Sequence, residues 1–234
     1  MGYSKKVYNW GMKKTFIPLL ALVLIIPFLV AKADAPFDGT LIALDAGHGG
    51  IESGATNSTY GIKEKDVNLD VVKALRDKLV KAGAIVVLTR EEDITISSRK
   101  ERVQIAMNKC LTSALARKCD ILVSVHHNGI TGDPIHDGTL VIYNEKQDIP
   151  LAKALHDALV PLTEQDEGYM NGGFGITVYS HLISALTEAY YITNDKEALA
   201  YRDGNRVAEE VEAQFLGLSN YFSNKSSGKG GKPR

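Results

Sequence analysis

The sequence predicts an α/β fold: a single domain with a twisted, mostly parallel sheet and helices on both faces, an α/β/α sandwich. Three observations carry that expectation. Short apolar, β-rich runs recur along the chain, amphipathic helical patterns lie between them, and the composition of 44% hydrophobic and 24% charged residues over 234 positions suits one core. Strands joined through helices pair in parallel and are buried on both faces. In such sheets ligands bind beyond the carboxyl ends of the strands, so residues just after a strand carry the most functional weight.

The N-terminus stands apart from that domain. Lys13 and Lys14 precede an unbroken apolar run from Phe16 to Val30, and Ala31-Lys32-Ala33 follows it. A positive segment, an apolar stretch and small residues at the cleavage position describe a signal peptide over residues 1–33, cut after Ala33 or next after Ala35. Met12 is an alternative start. A retained membrane anchor is the competing reading, but the 15-residue run is short of the roughly 20 apolar residues a spanning helix needs. No cysteine lies near the cleavage point, which argues against a lipid anchor.

Export sets two further expectations. Removing residues 1–33 takes away five lysines and no acid, so the net charge moves from −1 to −6 and leaves no electrostatic footprint for nucleic acid. Cys110 and Cys119 enclose eight residues in an oxidising compartment, where a local disulfide is expected and two free thiols are the alternative.

The β-rich runs are Leu41 to Asp45, Ala84 to Thr89, Ile121 to Val125, Thr139 to Tyr143 and Ala185 to Ile192. Between the first two, Val67, Val71, Leu75 and Leu79 recur every four residues in a helix from Asp66 to Ala82, stopped by Gly83. Ser97 to Asn108 and Pro150 to Val160 read as helices, and Val207, Val211 and Phe215 mark a last one. Residues 223–234, rich in Ser, Gly and Lys, read as a disordered tail after a domain spanning 37–220.

Three candidate ligands sit where this topology would put a site. His48 follows the first strand in the glycine-rich turn LDAGHGG, His126 follows the third in SVHHNG, and Glu64 opens the first long helix. Imidazole and carboxylate are groups that zinc accepts. Taken singly, each has an ordinary explanation: a polar turn residue, or an acid favoured by the helix dipole. The wide spacing, with 15 residues between His48 and Glu64 and 61 between Glu64 and His126, excludes the short H-E-x-x-H helix of thermolysin-like sites. Three ligands would leave a fourth zinc position open, as catalytic sites do. Glu188 interrupts the fifth apolar run and is the candidate carboxylate for proton transfer. It is either a costly charge in a buried strand or a water-facing residue on an edge strand.

Taken in order, LDAGHGG, GIKEKDVNLDVV, AGAIVVLTREED, SRKERVQIA, CDILVSVHHNG, DGTLVIYN and ALTEAYYITN resemble the zinc-dependent N-acetylmuramoyl-L-alanine amidases of bacterial cell-wall turnover, over residues 39–216. The resemblance implies that His48, Glu64 and His126 bind one zinc ion and that Glu188 is catalytic. It further implies cleavage of the amide between the lactyl group of N-acetylmuramic acid and the L-alanine of the stem peptide, with Asn128 and Asn194 in supporting roles. The expected protein is exported to the periplasm or cell wall. It acts on peptidoglycan or muropeptides as a monomer, and touches membrane only through an uncleaved N-terminal helix. Competing functions are a zinc carboxypeptidase or endopeptidase acting within stem peptides, and a wall-binding module whose site has decayed.

Four departures from the family pattern stand out. His127 occupies a position where the family has a small residue; a solvent-facing side chain is expected, and a supporting group behind the ligands is the alternative. Tyr190-Tyr191 stands for a usual Gly-Phe. Cys110 to Cys119 looks like an insertion. The connection Asn144 to Pro150 is too short for the inhibitory helix of some division amidases, so no autoinhibition of that kind is expected.

Overall fold

The computed structural model describes residues 1–4, 36–173 and 175–227. The chain divides into two units, Met1–Ala33 and Asp34–Arg234, and the sheet, helices and site all belong to the second. Beyond its first four residues, the expected signal segment lies outside the described residues, as does the tail from 228 onward. Among the described residues no helix is long and apolar enough to cross a membrane.

Six strands form the central sheet: β1 (Leu41–Ala46), β4 (Ile85–Leu88), β5 (Ile121–Asn128), β6 (Thr139–Tyr143), β7 (Asp166–Asn171) and β8 (Ile183–Tyr191). Their order is β4-β1-β5-β8-β6-β7. The first four run parallel, β6 lies antiparallel to β8, and β7 is parallel to β6. A two-stranded hairpin, β2 (Thr56–Asn57) with β3 (Ile62–Lys63), leads directly into helix α1 (Glu64–Lys81). The expected α/β/α sandwich is thus observed, with an antiparallel step at one side.

Strand β1 shows why the sheet is buried on both faces. Its side chains alternate, so Ile42, Leu44 and Ala46 join the core under α1, α3 (Ile149–Leu159) and α5 (Asn205–Ser227), while Leu41 and Ala43 join a second core under α2 (Arg99–Leu111). The predicted periodic residues of α1, Val67, Val71, Leu75 and Leu79, are all fully buried in the first core. Acids Glu64 and Asp66 in the first turn of α1, and Lys78 and Lys81 in its last, complement the helix dipole. Ser98 caps α2 by accepting from Glu101 N at 3.1 Å.

Cys110 and Cys119 are disulfide-bonded, with 5.6 Å between Cα atoms, so the segment leading into β5 is stapled to the end of α2. The connection from β6 to α3 is one 3₁₀ turn, Lys146–Asp148. Helix α5 continues to Ser227, so residues 223–227 of the expected tail are helical.

Candidate metal centre and cleft

The carboxyl ends of β1 and β5, the start of α1 and the middle of β8 converge on one point. His48 Nε2 lies 3.1 Å from Glu64 Oε2, and His126 Nδ1 lies 2.9 Å from Glu64 Oε1. One ligand atom from each of the three residues falls within 4.8 Å of the other two, a grouping that could hold a metal ion. Two imidazoles and one carboxylate make a donor set suited to zinc with an open position.

His48 is held through its backbone. His48 sits in the left-handed region at φ 57°, a conformation that costs a non-glycine residue about 1–2 kcal/mol and must be imposed from outside. Two buried arginines impose it. Arg102 donates to the His48 carbonyl at 2.6 Å and to the Ala46 carbonyl at 2.8 Å; Arg90 donates to the carbonyls of Ala46, Gly47 and Lys65 at 2.9, 2.8 and 2.7 Å. Asp45, fully buried, pairs with Arg102 at 3.0 Å and accepts from Thr89 and Ser124 at 2.6 Å each. Burial pushes the Asp45 pKa up, but Arg102 and the two hydroxyls outweigh it and leave it lowered. An ionised aspartate therefore anchors Arg102, and Arg102 anchors the turn. None of these five side chains stands out as a site residue by pattern, because their roles depend on strand neighbours far apart in sequence.

His126 was expected just after a strand, but β5 extends to Asn128 and His126 lies within it. The extension is what aligns the chemistry: His126 and Glu188 are register partners in the parallel β5/β8 pair. Strand β8 lies between β5 and β6, so the edge-strand reading of Glu188 is corrected. Glu188 is instead a carboxylate in the sheet interior, and its Oε2 is buried with no hydrogen-bond partner. Burial raises its pKa well above the ordinary carboxyl value, with further contributions from the charges of Glu64 and Glu167. Glu64 moves the other way: burial would raise its pKa, but hydrogen bonds and charge from His126 and His48 hold it well below the usual range. Two nearby carboxyls are thus pushed in opposite directions, as in a site that needs one ionised ligand and one proton carrier.

His48, His126 and Glu188 line a cleft of about 700 Å³, walled by Arg99 and Lys100 of α2 and by Tyr179. Asn128 and Asn194 are not among its lining residues. Asn128 Oδ1 accepts from Gly129 N at 3.2 Å, and Asn194 caps α4 (Asp195–Arg202) by accepting from Lys196 N and Glu197 N. His127, expected to face solvent, is 1% exposed, and its ring lies against Asn68 and Glu210 behind the candidate ligands. Strand alternation turns it to the face opposite its neighbour His126.

Comparison with known proteins bears on the family and the fold that carry this geometry. The model of the family described as N-acetylmuramoyl-L-alanine amidase matches residues 42–220. YqiI of Bacillus subtilis is 32% identical over 197 residues, covering 82% of this chain and 89% of YqiI. The N-acetylmuramoyl-L-alanine amidase LytC of the same bacterium is 31% identical over 192 residues, covering 80% of this chain but only 36% of LytC. Among solved structures, an N-acetylmuramoyl-L-alanine amidase from Clostridium difficile 630 superposes with a TM-score of 0.71 at 26% identity, covering 80% of this chain and 98% of that one.

Proposed function

Because the chain belongs to the N-acetylmuramoyl-L-alanine amidase family, we propose that it is an exported, zinc-dependent hydrolase. Its reaction is cleavage of the amide between the lactyl group of N-acetylmuramic acid and the L-alanine of the stem peptide in peptidoglycan. The observation that carries the reading is the grouping of His48, Glu64 and His126, with Glu188 in register beside His126 and with His48, His126 and Glu188 lining one cleft. The donor set fits zinc, and the unpartnered Glu188 oxygen is an acceptor with no structural duty. The Cys110–Cys119 disulfide fits an oxidising compartment.

When bound, zinc supplies Lewis-acid polarisation of the scissile carbonyl and acidification of water to a pKa of about 7. His48, Glu64 and His126 would hold the ion. Glu188 takes the proton of the attacking water and delivers it to the leaving nitrogen of L-alanine. Burial raises the Glu188 pKa above the ordinary carboxyl value, which makes it a stronger base toward water and keeps a proton available for the leaving nitrogen. The cationic wall of Arg99 and Lys100 gives the carboxylates of a stem peptide a complementary surface.

Glu188→Ala is expected to retain bound zinc and lose activity, whereas His48→Ala and His126→Ala lose both, as read by metal analysis beside hydrolysis of sacculi. Turnover at the wild-type rate in Glu188→Ala would overturn the assignment.

A further inference from the structure

Two of the departures from the family pattern meet each other. The ring of His127 lies 4.4 Å from that of Tyr190, centroid to centroid, and the guanidinium of Arg206 lies 4.5 Å from the same tyrosine ring. The side chains of His127 and Glu210, a residue of α5, are both 0% exposed and 2.8 Å apart, Nε2 to Oε2. On its other side His127 Nδ1 lies 2.7 Å from Asn68 Oδ1.

The direction of these bonds follows from Asn68. Its amide nitrogen donates to the Gly47 carbonyl at 3.1 Å and to Glu64 Oε1 at 3.3 Å, so its oxygen must accept and His127 Nδ1 must carry a hydrogen. Glu210 Oε1 in turn accepts from Gln214 at 2.8 Å. The backbone N of His127 also donates to Glu64 Oε1, at 3.3 Å. A continuous hydrogen-bonded chain therefore runs from α5 through Glu210, His127 and Asn68 to Glu64 Oε1, the oxygen that faces His126.

Burying a histidine and a glutamate beneath a sheet is costly when apolar residues could fill the space. A small residue at 127 and a glycine at 190 would avoid the cost. Here the polar pair is kept where it ends on a proposed metal ligand. We propose that Glu210 and His127 are positioning residues that act through Asn68 to fix the orientation of the Glu64 carboxylate, so that α5 helps set the metal affinity of the site. This inference rests on the metal reading given above.

The test measures the zinc dissociation constant of the full chain by competition with a chromophoric chelator, beside circular dichroism. His127→Phe/Glu210→Gln keeps the ring against Tyr190 and an acceptor for Gln214, but removes the link to Asn68. Asn68→Ala cuts the same chain at its other end and serves if the first variant fails to fold. Loss of an outer partner of this kind typically weakens metal binding about 10- to 100-fold. Each folded variant is expected to show that loss, and the two combined no more than Asn68→Ala alone. Folded variants with the wild-type zinc constant, or losses that simply multiply in the combination, would overturn the positioning role while leaving the metal reading intact. A wild-type chain that binds no zinc would overturn both.

Discussion

Gly54 offers a matched pair of substitutions that separates backbone strain from damage to the site. Gly54 and Gly61 have nearly the same left-handed φ, +66° and +69°, so an alanine at either suffers the same conformational cost, about 1–2 kcal/mol. At Gly61 an added Cβ would meet nothing within 4 Å. At Gly54 it would lie 2.6 Å from His48 Cδ2 and 2.8 Å from Glu64 Cβ, and closer still to Glu64 Oε2, where ordinary contact begins near 3.4 Å. Glu64 or the loop must therefore retreat by roughly 1 Å, a misplacement that can cost about 100-fold in rate. For a domain of this size, 1 kcal/mol lowers Tm by about 2–4 °C. Gly61→Ala is expected to show only that fall, with metal affinity and kcat/KM unchanged. Gly54→Ala should melt at least as early and lose about 100-fold in kcat/KM. If Gly54→Ala matched Gly61→Ala in zinc binding and rate, the geometry assigned to His48 and Glu64 would be wrong.

Two further predictions follow from buried groups. Burial, Glu64 and Glu167 raise the Glu188 pKa, so its contribution to stability is present below the ordinary carboxyl pKa and is lost as pH rises through the folded value. Glu188→Gln should therefore melt with the metal-free wild type near pH 4 and increasingly above it as pH rises, while losing about 10²- to 10⁴-fold in activity; a Tm gap that narrows with pH would refute the buried-acid account. Replacing Cys110 and Cys119 by alanine opens a loop with a sequence separation of 9, for which chain entropy gives a loss of roughly 2–3 kcal/mol, measurable by urea unfolding.

The parts of the fold legible in the sequence were those with strong periodicity. The every-fourth spacing of Val67, Val71, Leu75 and Leu79 matches the buried stripe of α1, and each of the five apolar runs overlaps a sheet strand. Strand β7, DEGYMN, escaped because an exposed edge strand has only one sheet neighbour and its residues show no apolar alternation. Helix α4 escaped because eight residues give the helical period little room to show. In the site, residue types and strand ends marked His48, Glu64 and His126, and the resemblance joined them. The placement of Glu188 was undecidable locally, since whether a strand is central or at an edge depends on pairing between segments far apart, here β5 with β8 and β6 with β8. His127 was misplaced for a related reason: the residue after a strand-end ligand reads as a loop, but three more strand residues turn it inward. Arg90 and Arg102, which hold the His48 turn, looked like ordinary charges because their partners are backbone carbonyls.

The proposed reaction is defined by which bond is cut. Mass spectrometry of purified sacculi digested by the zinc-loaded protein tests it directly. Intact stem peptides with a free L-alanine N-terminus are expected, together with glycan strands whose muramic acid lactyl groups carry a free carboxylate. Fragments cut within the stem peptide or between sugars, with the lactyl amide intact, would contradict the proposed reaction.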